Sequence, residues 1–256
     1  MTNGLFPGGI NPLSTRILML IGSERVNRIV TGGREGGLGV DGGYMNGASD
    51  NFIVMDLEDD LRSGFRVSQH EYIHLLARNQ SRFWPLWLNE GFASCFEGAG
   101  VEKKRIVFGK PVQRIAEILR EKRGLDLEQV FGFRTNAELF RLPTTQARRF
   151  YPQSWLLTHY LLFGLPPEEE AKLGRFFLAL GSGSDSGEAF QKAFGWTVPE
   201  LQKRLDAYAD RARFRFREMP TAGGVVEISI GEETPATSAA WIALIQMESG
   251  RYASAD

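Results

Sequence analysis

The chain has 256 residues, of which 43% are hydrophobic and 24% are charged, so it is long enough to bury a substantial core. Its formal net charge is −1 and no block of like charge stands out, which argues against nucleic acid or an anionic membrane as a partner. The single cysteine, Cys95, excludes an internal disulfide framework.

The sequence predicts neither a membrane span nor a signal peptide. Apolar runs such as 17–21 are far shorter than the roughly 20 residues that a membrane-spanning helix needs. The N-terminal segment has no basic region leading into an apolar core. The default compartment is therefore the cytoplasm, and secretion stays open if the N-terminus has been trimmed.

Residues 1–62 are predicted to be rich in strands and in glycine. Short apolar runs at 16–22 and 51–55 are typical of strands. Between them, residues 32–47 hold eight of the 29 glycines, which indicates a long loop or a glycine hairpin.

Residues 63–217 are predicted to form a helical core, because their apolar residues recur with helical spacing between breaks at glycine and proline. Residues 218–256 are predicted to form a strand at 225–230, then an amphipathic helix and a partial second one. The predicted helices of the core are 63–79, 87–97, 112–121, 125–141, 152–163, 168–180, 186–194 and 198–217, with a strand at 101–108.

The pentapeptide HEYIH places His70 and His74 four residues apart. Residues at this spacing lie on one face of a helix, so both imidazoles can bind one Zn²⁺ ion. Glu71 follows the first histidine and can act as the general base toward a metal-activated water. The alternative is a pair of surface histidines on an ordinary helix.

A catalytic zinc ion uses three protein ligands and keeps one position open. Glu90 lies 16 positions after His74, on a second predicted helix whose apolar residues would pack against the first. A charge beside such a buried seam is costly unless it is paired or bound to a metal. Glu90 is therefore the candidate third ligand, and an ordinary solvated glutamate is the alternative.

HEYIH followed by WLNEGFAS at 87–94 resembles the gluzincin peptidases, in particular the aminopeptidase N-like enzymes and the smaller peptidase-MA-like domains. The 15 residues between His74 and Glu90 are fewer than the aminopeptidases commonly have, and this spacing is similar to that of the peptidase-MA-like branch. The resemblance implies one zinc ion per chain, held by His70, His74 and Glu90, with Glu71 as the base. It also implies an α+β fold of the thermolysin-like zincin kind. In that fold a small N-terminal mixed β-sheet is one wall of the cleft, beside zinc-binding helices and a C-terminal helical bundle.

Two further positions match the family. Tyr151 resembles a tyrosine whose hydroxyl stabilises the oxyanion, and because Pro152 suits the first position of a helix, we expect Tyr151 just outside that helix. A core tyrosine is the alternative. Glu97, seven residues after Glu90, matches an acidic position that orients a zinc-binding histidine from its far side, with a surface glutamate as the alternative.

The segment Gly43-Tyr44-Met45-Asn46 lies where the aminopeptidases carry a Gly-x-Met-Glu-Asn motif. The resemblance implies that these four residues border the cleft and that an edge strand pairs there with extended substrate. Asn46 replaces the glutamate that holds the free amine of the substrate in aminopeptidases. This departure favours an endopeptidase or a narrow self-processing enzyme.

The remaining features have structural interpretations. His159 is predicted to be a packed or surface histidine rather than a further ligand, and Cys95 a small buried residue. The arginines at 211–217 are expected on a solvated helix face. The segment 241–255 resembles the start of a tetratricopeptide repeat that turns at Gly250, which implies either an array that binds a protein partner or a capping helix.

The sequence therefore predicts a zinc metallopeptidase that acts on a peptide or protein substrate, and an endopeptidase rather than an aminopeptidase. The alternative from another class is a catalytically inactive gluzincin-like scaffold that works as a protein-binding module. Zinc-dependent hydrolysis of a non-peptide bond is a third interpretation.

Overall fold

The computed structural model combines helices with two three-stranded sheets, which confirms the predicted α+β class. Among the described residues, no helix is both long enough and apolar enough to cross a membrane. The residues that the structure describes are 14–20, 29, 42–46, 50–56, 61–78, 84–121, 125–139, 141–211, 213–221 and 233–253.

The N-terminal sheet is mixed, as the sequence predicts, and contains β1 (Ser14–Leu20), β2 (Gly42–Asn46) and β3 (Asp50–Asp56). The central strand β3 pairs in parallel with β1 and antiparallel with β2. The strand β2 therefore lies at an edge of this sheet. Of the glycine-rich stretch, 42–46 form this strand, and 32–41 lie outside the described residues.

The central strand is buried on both faces, which explains its continuous apolar run. Phe52 and Val54 pack against Trp241 and Ile245 of the last described helix, α11 (Pro235–Ala253). Met55 faces the other way, and its sulfur lies 2.7 Å from the Ser68 hydroxyl oxygen. The sheet is thus covered by a helix on each side.

The two helices that carry the predicted ligands are α1 (Leu61–Arg78) and α2 (Leu86–Phe96). The helix α2 is buried on most of its surface and packs closely on α6 (Thr144–His159). A Cβ atom at Gly91 would collide with the Thr158 hydroxyl and the Ser154 carbonyl oxygen. Glycine is therefore required at this helix crossing.

The C-terminal bundle surrounds a core rich in aromatic residues, among them Trp87, Trp155, Phe176 and Phe190. After α6 the chain forms a π-helical turn at Tyr160–Gly164. The other helices of the bundle are α3 (Gln113–Arg120), α4 (Leu127–Gly132), α5 (Asn136–Leu139), α7 (Pro167–Glu170), α8 (Leu173–Gly181), α9 (Ser186–Phe194) and α10 (Val198–Asp210).

The single strand predicted at 101–108 is wrong. The strands β4 (Gly100–Glu102) and β5 (Arg105–Phe108) instead form a hairpin. Its turn residues Lys103 and Lys104 have φ angles of 47° and 62°. Tight hairpin turns that need positive φ usually use asparagine or glycine, so two lysines gave no turn signal.

The helix predicted over 198–217 is too long. It ends at Asp210, and the chain continues into β6 (Arg217–Pro220), which pairs with β5. Phe214 packs edge-on against Trp155 at a centroid distance of 5.0 Å. This tertiary contact favours the non-helical path of residues 213–216 over a continued helix. The arginines in 211–217 therefore do not share one helix face.

The turn predicted at Gly250 is also wrong, because α11 runs through this residue to Ala253. Two apolar residues of α11, Trp241 and Ile245, pack on the N-terminal sheet. These contacts fix the position of α11 on the sheet. The strand predicted at 225–230 lies outside the described residues.

Candidate metal centre

The helix α1 presents His70 and His74 side by side toward α2. Their ring centroids are 4.7 Å apart, and their side chains are 12% and 14% exposed. The Nε2 atoms of His70 and His74 lie 3.3 Å and 3.6 Å from Glu90 Oε2. The spacing of four residues and the helix that follows therefore bring the three predicted ligands together.

Two of the three distances between the candidate donor atoms match the spacing expected around a tetrahedral zinc ion. One ligand atom from each of His70, His74 and Glu90 lies within 4.8 Å of the other two. With bonds of about 2.0–2.1 Å, neighbouring ligand atoms of a tetrahedral site lie about 3.4 Å apart. The two distances to the carboxylate oxygen, 3.3 and 3.6 Å, bracket this value.

The opposite ring nitrogens of both histidines contact oxygen atoms. His70 Nδ1 lies 3.0 Å from Glu97 Oε2, and His74 Nδ1 lies 3.2 Å from Asn89 Oδ1. When these oxygens accept a hydrogen bond, the proton of each neutral ring is on Nδ1 and the lone pair on Nε2 points to the centre. Glu97 thus lies where the resemblance places it. Sequence reasoning missed Asn89, although its position directly before Glu90 was a signal.

The cluster is strongly coupled electrostatically. Burial lowers the pKa of His70, but the carboxylates of Glu90, Glu97 and Glu71 outweigh burial and raise it to about 10. The pKa of His74 is also raised, because Glu90 outweighs burial. Burial would raise the pKa of Glu90, but the two imidazoles hold it well below its usual range. The arrangement therefore attracts positive charge to the place where a cation would bind.

Glu97 is nearly inaccessible to solvent, with 4% of its side chain exposed. Arg114 of α3 donates from Nη2 to both of its oxygens, at 2.8 and 3.0 Å. Burial tends to raise the pKa of Glu97, but His70 and Arg114 outweigh it and lower the pKa. No motif in the sequence pointed to Arg114, because its contact is formed only by the fold.

The predicted base Glu71 is tied to the edge strand β2. Its Oε2 atom accepts a hydrogen bond of 2.8 Å from the main-chain N–H of Tyr44. This N–H therefore points away from β3, and Tyr44 and Ile53 face each other as a non-hydrogen-bonded pair. The edge of β2 thus borders the centre, as the resemblance implies for residues 43–46.

The segment predicted to bind substrate is β2 itself. Met45 packs toward α11, and the Tyr44 hydroxyl donates to Asn51 Oδ1 at 3.1 Å. Gly43 is buried. The backbone of Asn46 ends the strand, but its side chain lies outside the described residues.

The position predicted for Tyr151 just outside a helix is wrong, because this residue lies inside α6, which already begins at Thr144. Pro152 is thus an interior proline, and it cannot donate the helical hydrogen bond to the Arg148 carbonyl. Burial and the charges of Glu90 and Glu71 raise the pKa of the Tyr151 hydroxyl well above its usual value. Tyr151 therefore lies near the candidate centre, but it does so from within a helix and not from the residue before one.

His159 and Cys95, which the sequence analysis assigned structural roles, are both buried. His159 is fully buried; its Nδ1 atom lies 2.8 Å from the Tyr208 hydroxyl and its Nε2 atom 2.9 Å from the Arg215 carbonyl oxygen. This confirms the interpretation as a packed histidine. Cys95 is buried, and burial raises the pKa of its thiol well above the ordinary value.

The model of one protein family, described as "Protein of unknown function (DUF1570)", matches residues 67–169. The match covers less than half of the chain, but it includes His70, His74, Glu90, Arg114 and Tyr151. A search of curated proteins found no match. A search of solved structures found none either.

Proposed function

We propose that the protein is a zinc-dependent peptidase of the gluzincin kind, with a thermolysin-like arrangement of its cleft. The observation that carries this proposal is the convergence of His70, His74 and Glu90 on one point, with Glu71 and Tyr151 beside it. A mixed sheet on one side and a helical bundle on the other agree with that arrangement.

The two histidines and Glu90 would hold the zinc ion. When bound, the ion supplies a Lewis acid that polarises the substrate carbonyl and lowers the pKa of the attacking water. Glu71 takes one proton from this water and delivers it to the amine that leaves as the peptide bond breaks. Tyr151 donates a hydrogen bond to the oxygen on which negative charge develops.

We further propose that β2 aligns an extended peptide or protein substrate along the centre. An edge strand can pair with a substrate backbone by adding a strand to the sheet. The N–H of Tyr44 donates a hydrogen bond to Glu71, so the strand that would align the substrate backbone also fixes the position of the base. Asn46 offers no carboxylate for a free amine, which favours cleavage within a chain over removal of its first residue.

The experiment that tests this function compares the wild type with Glu71→Gln, using a peptide library with and without a chelator. The wild type is expected to cleave peptides and to stop when the metal is removed. Glu71→Gln is expected to keep one zinc ion per chain and to lose activity by about 10²–10⁴-fold. Glu128→Gln, an exposed glutamate on α4, is the matched control and is expected to cleave normally.

Two results would contradict the proposal. Cleavage that is unchanged in Glu71→Gln would show that this glutamate is not the base. A wild-type protein that binds zinc but cleaves no peptide would favour the inactive, protein-binding scaffold.

A further inference from the structure

Arg114 is connected to the metal centre through a chain of two contacts. Its Nη2 atom lies 2.8 Å from Glu97 Oε2, and that same oxygen lies 3.0 Å from His70 Nδ1. The opposite nitrogen of the His70 ring points to Glu90. A residue on α3 therefore reaches a predicted ligand on α1 through one carboxylate.

Among the described residues, Arg114 adds a positive charge to the proposed metal centre through its contact with Glu97. Glu71, Glu90 and Glu97 contribute three negative charges within a mostly buried cluster. Imidazoles that bind a metal are neutral, so the histidines add nothing once the ion is present. A divalent cation offsets two of the carboxylates, and Arg114 is the cationic side chain whose contact with Glu97 offsets the third.

An ordinary surface ion pair would have little effect on the centre, because such pairs contribute only about 0–1 kcal/mol to stability. The Arg114 side chain is 58% exposed, but its partner Glu97 is 4% exposed. Removing the partner of a buried carboxylate leaves a desolvated charge without compensation, which is far costlier than losing an exposed pair. The effect of Arg114 is therefore expected at Glu97 and at the His70 ring that Glu97 contacts.

We propose that Arg114 is a positioning residue for the metal centre. Its Nη2 atom holds the Glu97 carboxylate in the orientation that contacts His70 Nδ1, and in this way presents His70 Nε2 to the cation. The inference rests on the metal site of the proposed function, but not on peptide cleavage. It predicts that a change on α3 alters metal affinity without touching any ligand.

The test measures zinc affinity by competition with a chromophoric chelator, using the full chain after the metal has been removed. Arg114→Met is expected to weaken zinc binding by about tenfold, the lower end of the range for residues that support a ligand. Arg114→Lys is expected to bind zinc within about threefold of the wild type, because one nitrogen makes both contacts and a single ammonium can replace it. Arg120→Met, an exposed arginine on the same helix, is the control and should bind normally.

A double-mutant cycle separates positioning from a general structural effect. If Arg114 acts through Glu97, Arg114→Met causes no further loss of zinc affinity in a Glu97→Gln background. Equal losses in both backgrounds, or wild-type affinity in Arg114→Met, would overturn the inference while leaving the peptidase proposal intact. Melting of the metal-free proteins identifies a folding defect in Arg114→Met. In that case Arg114→Gln, which keeps a donor but removes the charge, takes its place, and zinc binding as tight as that of Arg114→Lys would overturn the inference. A wild type that binds no zinc would overturn the metal centre itself.

Discussion

Two buried histidine environments of this protein differ in what surrounds the ring. Around His70, three carboxylates outweigh burial and raise the pKa to about 10. Around His159, burial outweighs the bonds to main-chain carbonyl oxygens and lowers the pKa to about 4, and the nearest rings are those of Trp155 and Phe163. Burial is common to both, so it does not mark a metal site. The convergence of carboxylates on ring nitrogens is what sets His70 apart, and it supports the proposed metal site.

The same substitution at both histidines tests this difference most strongly. His70→Gln removes a ligand, so bound zinc is expected to fall from one ion per chain to about one tenth of that or less, with loss of cleavage. His159→Gln should keep full zinc content and lose about 2 kcal/mol of unfolding free energy, because Tyr208 and the Arg215 carbonyl lose a partner. Metal analysis and urea unfolding of both variants check this. Full zinc content in His70→Gln would show that His70 is not a ligand and would remove the difference between the two histidines.

The pH dependence of stability sharpens the comparison at His159. Its pKa in the folded protein, about 4, lies below the ordinary value of 6.5. Above pH 6.5 the ring is neutral in both states and stability is full. As the pH falls from 6.5 to 4, only the unfolded chain binds the proton, so up to about 3 kcal/mol of unfolding free energy is lost.

Urea unfolding at pH 7.5, 5.5 and 4 measures this loss, and the His159→Gln variant is the reference because it lacks the group. The wild type should be more stable than the variant by about 2 kcal/mol at pH 7.5, and this difference should fall with pH and reverse in sign by about pH 4. A difference that is constant with pH would mean that His159 is accessible to protons in the folded state.

Two tyrosine hydroxyls extend the comparison. Tyr151→Phe is expected to reduce kcat by about 10²-fold without changing zinc affinity, because the donor to the oxyanion is lost. Tyr208→Phe removes a hydroxyl that contacts His159 and should leave kcat unchanged while lowering stability by about 1 kcal/mol. Steady-state kinetics and unfolding curves separate the two effects. Equal kcat values for both variants would remove Tyr151 from the mechanism.

The smallest expected effect concerns the strand that touches the base. Tyr44→Pro removes the N–H that donates a hydrogen bond to Glu71. Proline is tolerated at this position of an edge strand because the N–H points away from β3. We expect kcat to fall by about tenfold with unchanged zinc content, which corresponds to about 1.4 kcal/mol of transition-state stabilisation. Tyr44→Ala keeps the N–H and serves as the control for the lost side chain. If both variants have the same kcat, the N–H does not position the base.

Much of the helical framework could be predicted because helices follow from local periodicity. The helix at 186–194 has the predicted bounds, and the helix at 113–120 differs from its prediction by one residue at each end. The hairpin turn at Lys103–Lys104 and the end of α10 at Asp210 could not be predicted. In both cases the deciding contacts join residues distant in sequence, such as the pairing of β5 with β6.

By itself the sequence predicted the candidate donor set, because a spacing of four residues on a helix puts His70 and His74 on one face whatever surrounds them. It also indicated Glu90 through the motif on the following helix. Only the tertiary structure decided what supports these ligands: Asn89 behind His74, Arg114 behind Glu97, and the N–H of Tyr44 on Glu71. Their hydrogen bonds depend on how separate elements pack, and no local pattern records that packing.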